Sequence, residues 1–311
     1  MYNRDEMLVK VAIYYYEQEM TQSEIAKLLY ISRPTVATML KEAREKGIVK
    51  ITIQKKFYAD GALSKKQDDI SRKYNLQTVL ITKTHNTDHE TKASIGDLCA
   101  TFVEERLQKI NALGIGWGTT VKAYVDAAQY LSYPNLSIIP LIGGVSVSET
   151  ALHSNHLAFT LGQKYSANSS AFYAPVIAEN IEIKEILYNS EIVQNTLEEG
   201  RNVDLAIIGV GNPKESKTYR NMGYISTDEE KEIGEKNAIG DILTTFFNSN
   251  GKPVETSLSD RMIGPTIEDI KHMKEVVVLA SGESKVISIK ALLKLNFINT
   301  LIIDEEIADQ L

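Results

Sequence analysis

Leu113-Gly114-Ile115-Gly116-Trp117-Gly118-Thr119-Thr120-Val121-Lys122-Ala123-Tyr124 reads as a strand end, a glycine turn and the first turn of a helix. Three glycines permit positive φ and close backbone approach, Thr119 and Thr120 offer hydroxyls, and the helix aims its free N–H groups and dipole at one point. Such a turn cradles an anion, and a phosphate fits it. The stretch has neither the G-x-x-x-x-G-K-[ST] spacing of a nucleotide phosphate loop nor the G-x-G-x-x-G of a dinucleotide fold, so on its own it can also be simply a tight βα turn.

Around this stretch, short continuous apolar runs alternate with helical patterns. Strands are predicted at 78–82, 111–115, 136–141, 204–209, 275–280 and 300–303. Continuous apolar runs of this length suit a parallel sheet covered on both faces, and the fold class is α/β. Four of the runs lead straight into small-residue loops, at 114–120, 142–146, 209–213 and 280–285. The carboxyl ends of parallel strands share one edge, where ligands bind, so four such loops predict a pocket. Lys285 begins the helix after the last loop, and a cation is unfavourable there without an anionic partner. Asp241 lies in an apolar segment, Ile-Gly-Asp-Ile-Leu-Thr-Thr-Phe-Phe. Its carboxylate can accept two sugar hydroxyls or merely cap a helix.

A chain of 311 residues with net charge −7 predicts two domains, and the charge is unevenly divided. Residues 1–56 carry ten Lys/Arg against seven Asp/Glu, net +3, and the remainder is net −10. Nucleic acid is expected at the basic end only. Cys99 is the only cysteine, which excludes an internal disulfide framework and a cysteine-based zinc site; it falls on an apolar stripe with Ile95, Leu98, Phe102 and Leu107 and reads as core. No run has the length of a membrane span and the start lacks a signal-peptide layout, so no membrane partner and a cytoplasmic location are expected. His85 and His89 read as surface, and no metal or other cofactor is called for.

In the basic head, Leu8, Val9, Ala12, Ile13 and Tyr16 predict a first helix ending near Glu19. Thr21 and Glu24 form a capping box for a second helix, with Ile25, Ala26, Leu28 and Leu29 on its buried side. After Tyr30 and Ile31, Ser32 caps a third helix with Pro34 in its first turn, running to about Lys46 and stopping at Gly47. This is a helix-turn-helix pattern whose second helix reads DNA: of the outward residues Arg33, Thr35, Thr38, Lys41 and Arg44, the first few stand towards base edges and the later ones towards phosphates, and Ser32 and Pro34 at the helix start join the DNA-binding set. Residues 48–53 alternate as a strand and, with Lys50, Lys55 and Lys56, resemble a wing. Tyr30 occupies a turn position often held by glycine, and the strain of positive φ in a tyrosine predicts an altered turn. Domains are thus set at 1–56, a winged helix-turn-helix, and 57–311, with a hinge at 57–63 and a helix at 64–74.

These residues together resemble the SorC-type sugar-binding transcriptional regulators. The matching pieces are Gln22–Ala26 and Ser32–Val36 in the head, then Gly116–Thr120, Leu141–Val145, Gly240–Leu243, Phe246–Phe247, Gly251–Val254, Arg261–Gly264, Ser281–Lys285 and Ile298–Asp304. The resemblance implies an effector domain similar to ribose-5-phosphate isomerase and glucosamine-6-phosphate deaminase, a homodimer or homotetramer, and binding to double-stranded operator DNA modulated by a phosphorylated sugar. By the same analogy Gly118, Thr119, Thr120 and Lys285 hold the phosphate and Asp241 the sugar hydroxyls, Gly116, His153 and Gly282 complete the effector-binding set, and the segment after Gly144 closes over the ligand. His153 stands where many relatives have a glutamine, two residues before Asn155, so this contact can differ or titrate. Glu283 replaces a common glycine and weakens the case for a second phosphate. Ile142 has no amine, so the loop that holds it cannot form an imine.

Two other readings compete. A sugar-phosphate isomerase or deaminase carrying a DNA-binding head needs a general base, for which Asp241, Glu283 and His153 are candidates. A DNA-binding protein whose body only assembles the oligomer leaves the glycine loops and Lys285 without a purpose. The leading expectation is a regulator, with no catalytic residues.

Overall fold

A computed structural model describes residues 4–49, 61–144, 151–213 and 225–311. The chain divides into two compact units, residues 1–59 and 60–311.

The first unit packs α1 (Arg4–Tyr16), α2 (Gln22–Leu29) and α3 (Arg33–Glu45) around Leu8, Val11, Ile25, Ala26, Val36, Met39, Leu40 and Ala43. Val9, Ile13 and Tyr16, expected to help bury α1, lie on its exposed side; the buried stripe is Leu8, Val11 and Ala12. Thr21 and Glu24 form both bonds of the capping box. Tyr30 corrects the expectation of an altered turn: it adopts the left-handed conformation, φ 55°. Its side chain is exposed, and the Ile31 N–H donates to the Ala26 carbonyl at 3.0 Å, so a Schellman-type cap offsets the strain while Ile31 packs on the core. Of the predicted wing, only Ile48 and Val49 are described, and both pack against the head core; residues 50–53, Lys55 and Lys56, like most of the predicted hinge, lie outside the described residues.

The second unit opens with α4 (Gly61–Tyr74), three residues longer at its start than predicted. Its sheet has nine strands among the described residues: β1 (Thr78–Thr82), β2 (Ala112–Ile115), β3 (Ser137–Pro140), β4 (Asn168–Ser169), β5 (Leu205–Gly211), β6 (Gly240–Ile242), β7 (Thr245–Phe247), β8 (Val276–Leu279) and β9 (Thr300–Asp304). The spatial order β1-β9-β8-β5-β2-β3-β4 is parallel throughout, and β6 and β7 add an antiparallel hairpin on the far end of β5. All six predicted strands are present. The 240–247 hairpin and the two-residue β4 were not expected, and Asp241 accordingly sits on a strand and caps no helix.

Alternation along the strands explains the continuous apolar runs. Leu205, Ile207, Val277 and Leu279 face one core, with α5 (Asp88–Glu104), α6 (Thr119–Ala127) and α7 (Ser154–Lys164); Ala206, Ile208, Val276 and Val278 face the other. Both faces are buried, so both parities are apolar along β5 and β8. Cys99 lies fully buried in the first of these cores, where burial pushes its thiol well above the usual range.

The opposite edge is tied by Asp204, just before β5. Its carboxylate accepts the N–H groups of Asn111 (2.7 Å) and Ala112 (3.2 Å) and the Lys274 ammonium (2.9 Å), joining the starts of β2, β5 and β8. Burial opposes its ionisation, but the Asn111 N–H, Lys274 and the Ala112 N–H outweigh it and hold the carboxyl below the usual Asp value. A depressed folded-state pKa gives stability that is present above the unfolded value, about 3.9, and fades as pH falls through the folded one. Asp204→Asn is expected to lower stability by about 1–2 kcal/mol at neutral pH, measured by denaturant unfolding, with the gap to wild type closing in acid.

Candidate functional site

In the head, α3 is capped by Ser32, whose hydroxyl accepts the Thr35 N–H at 3.2 Å. Pro34 lies in the first turn, where its missing N–H has no partner to lose. Arg33, Thr38, Lys41 and Arg44 are exposed, and Thr35 is half-buried with its hydroxyl 2.7 Å from that of Ser32. Thr38 donates to the Pro34 carbonyl at 3.0 Å. Arg33 and Arg44 have no ion-pair partner among the described residues, whereas Lys41 pairs loosely with Glu45 at 3.7 Å. One side of the helix therefore presents two arginines, a lysine and short hydroxyls to solvent, the set that contacts base edges and phosphates.

In the larger unit, β3 and β4 lie to one side of β2, while β5, β8 and β9 lie to the other. The chain reverses direction across the sheet between β2 and β5, and a crevice opens at such a switch point. A cavity of about 320 Å³ lies there, lined by Asp88, Lys92, 117–120, 209–211, Asp241, 280–282, Ser284 and Lys285. The loops after β2, β5 and β8 thus converge as expected; the loop after β3 does not line the cavity among its described residues, and residues 145–150 lie outside them.

Four of the lining residues are glycines, at 118, 209, 211 and 282. Gly118, at φ 104°, is the N-cap of α6 and has no side-chain cap, so the first N–H groups of α6 are left for a ligand. Gly282, at φ 89°, makes the same approach before Glu283–Lys285 and the helix Val286–Leu293, and its N–H donates to the buried Asp304 carboxylate at 2.7 Å. The other Asp304 oxygen accepts the Ile307 N–H, so Asp304 braces the Gly282 loop from beneath. Asn212 donates to the Ser284 carbonyl at 2.9 Å and joins the β5 and β8 loops. The β6–β7 hairpin presents Asp241, 6% exposed, into the cavity beside Gly211.

Gly118, Thr119, Thr120, Asp241, Gly282 and Lys285 therefore share one cavity, and Gly116 and His153 are not in its lining. Gly116 lies inside the sheet: a Cβ there would sit 3.2 Å from the Ile207 carbonyl. His153 is at the N-cap of α7, and Asn155 spends its side chain on both backbone groups of Phe172, at 3.1 and 2.8 Å. Glu283 is exposed, outside the lining, and accepts from Gln310, so of the three candidate bases only Asp241 reaches the cavity. His85 and His89 are exposed. Sequence reasoning missed Asp88 and Lys92, brought in because α5 and α6 pack closely: a Cβ on Gly96 would lie 2.3 Å from the Ala123 carbonyl.

Residues 61–311 match the sequence model of a sugar-binding domain family, and residues 13–50 match that of a winged helix-turn-helix DNA-binding domain. The chain belongs to the SorC-type family of sugar-binding transcriptional regulators. Within this family it is 27% identical to the sorbitol operon regulator of Klebsiella pneumoniae, over 100% of this chain and 99% of the relative. It is 26% identical to the deoxyribonucleoside regulator of Bacillus subtilis, over 98% and 96% respectively. The solved full-length sorbitol operon regulator SorC superposes with a TM-score of 0.80 over 99% of both chains, at 25% identity. A DeoR family regulator from Listeria monocytogenes superposes at 0.75 with 31% identity, over 80% of this chain and 99% of that one. These relatives are named as regulators, and no described helix of this SorC-type chain is long and apolar enough to cross a membrane.

The position of Asp241 depends on Gly211, where an added Cβ would lie 2.0 Å from Oδ1. Gly211→Ala is expected to lower stability by about 1–3 kcal/mol in thermal unfolding, and Asp241→Ala in the same chain to recover part of that loss, a coupling of about 1 kcal/mol or more. A neutral Gly211→Ala would contradict this placement.

Proposed function

We propose that this chain binds double-stranded operator DNA through α3 and that a phosphorylated sugar in the β2–β5 crevice changes that binding. The observation that carries the proposal is the meeting of the uncapped α6 start, Thr119, Thr120, Gly282 and Lys285 with Asp241 in one cavity. A phosphate seats on the N–H groups and hydroxyls of Thr119 and Thr120, with the Lys285 ammonium as counter-ion. Asp241, held away from water, accepts hydroxyls of the sugar. Specificity for a sugar over a bare anion comes from that carboxylate, which would otherwise repel the phosphate.

On α3, Arg33 is the residue assigned to base edges, with Ser32, Pro34, Thr35 and Thr38 setting the fit and Lys41 and Arg44 on phosphates. The names of the sorbitol and deoxyribonucleoside regulators support a target among genes of carbohydrate use. Two heads in a homodimer or homotetramer read a roughly palindromic operator, and ligand changes the population of the spacing that fits it. To convert mostly bound to mostly free, the ligand must favour one state by several kcal/mol. The chain performs no catalysis on the sugar in this scheme and needs no cofactor.

Two substitutions separate the halves of the proposal. Calorimetry with phosphorylated sugars is expected to show Lys285→Ala losing about tenfold or more in affinity, while its binding to an operator selected from genomic fragments by the wild-type chain is retained. Arg33→Ala is expected to lose about 10–100-fold in operator binding with ligand affinity unchanged. Normal ligand binding by the first variant, or normal operator binding by the second, would refute the role assigned to that residue.

A further inference from the structure

The charges lining the cavity cancel. Among the described residues it holds Lys92 and Lys285 against Asp88 and Asp241. A phosphate monoester carries nearly two negative charges at neutral pH. Seating it there leaves the pocket with a large excess of negative charge in a partly dehydrated space, unless one carboxylate withdraws.

The two aspartates differ in their freedom to do so. Asp241 is 6% exposed and wedged against Gly211. Asp88 stands in the first turn of α5 with its side chain 70% exposed, and its Oδ2 lies 2.6 Å from the Lys92 ammonium, whose side chain is only 22% exposed. Lys92 is thus held at the wall while its partner sits at the solvent edge. An ion pair with one exposed member is weak and exchangeable. A nearby anion of higher charge than a carboxylate competes for the same ammonium.

We infer that Asp88 occupies Lys92 as an exchangeable counter-ion, and that the phosphate of the effector displaces it. This rests on the reading of the cavity as a phosphate site and assigns Lys92 as a second phosphate-holding cation and Asp88 as a selectivity element. A ligand without a dianionic group cannot recover the energy of the broken pair, so neutral sugars are rejected even where their hydroxyls fit. Lys285 enters the lining from the β8 loop, on a different element from Lys92, and the exchange does not involve it.

The test uses the full chain and inorganic phosphate, titrated by calorimetry at about pH 8, where the dianion dominates. Asp88→Asn keeps the volume and removes the competitor: affinity for phosphate should rise by about threefold or more. Lys92→Gln should lower it by about fivefold or more, and the double variant should match Lys92→Gln alone, since Asp88 acts only through Lys92. Asp97→Asn makes the same change of net charge at an exposed position on the same helix, outside the lining, and should stay within about twofold of wild type. Thermal unfolding of each variant establishes that α5 still folds. If Lys285→Ala abolishes phosphate binding while Asp88→Asn leaves it unchanged or weaker, the exchange is overturned and the phosphate site stands. If wild type and Lys285→Ala bind phosphate equally, the phosphate site and the exchange both fall; if neither wild type nor Asp88→Asn binds it up to about 50 mM, the exchange is overturned.

Discussion

The parallel pairing of β2 with β5, Leu113 to Ile115 against Leu205 to Ile207, is the contact on which the larger unit depends. It places strands from distant parts of the chain side by side where the sheet reverses direction, so that the loops leaving them diverge and leave a crevice. Asp204 secures the pair from the opposite edge, and alternating side chains bury both faces. Without this register the α6 start, the β5 extension that carries the Asp241 hairpin, and the Gly282 loop would not meet.

The chemistry of the crevice follows from what the backbone leaves open. Two helix starts reached through positive-φ glycines border one cavity, and of those glycines Gly282 has its own N–H committed, to Asp304. Opposing charges then divide into fixed and movable ones: Asp241 is fixed by close packing on Gly211, whereas Asp88 stands at the rim. In the proposed exchange, packing more than the count of charges sets which carboxylate gives way.

Much of this was legible in the sequence because the signals are local. Continuous apolar runs mark β1, β2, β3, β5, β8 and β9, and the capping box at Thr21 and Glu24 marks α2. The 240–247 hairpin escaped because strands of three residues carry no periodicity, and Gly240 and Asp241 interrupt the apolar run. Gly118, Thr119, Thr120 and Lys285 were legible as loop and helix-start residues. Asp88 and Lys92 look like an ordinary i,i+4 pair on a solvated helix, and only the close approach of α5 and α6 at Gly96 brings them to the cavity. His153 was placed by analogy to relatives, a source that says nothing of how α7 is oriented here. Tyr30 shows the reverse: the strain was foreseen, but a capping geometry stabilised by Ile31 outweighs it.

The proposed selection of a phosphorylated sugar by the crevice is tested most directly by thermal unfolding against a panel of sugar phosphates, each paired with its unphosphorylated sugar. A ligand at a hundredfold excess over its Kd adds about 2.7 kcal/mol to the native state. A clear rise in unfolding temperature is expected with one or a few phosphorylated sugars and none with their unphosphorylated counterparts. An equal rise with the unphosphorylated sugar, or no rise with any member of the panel, would contradict it.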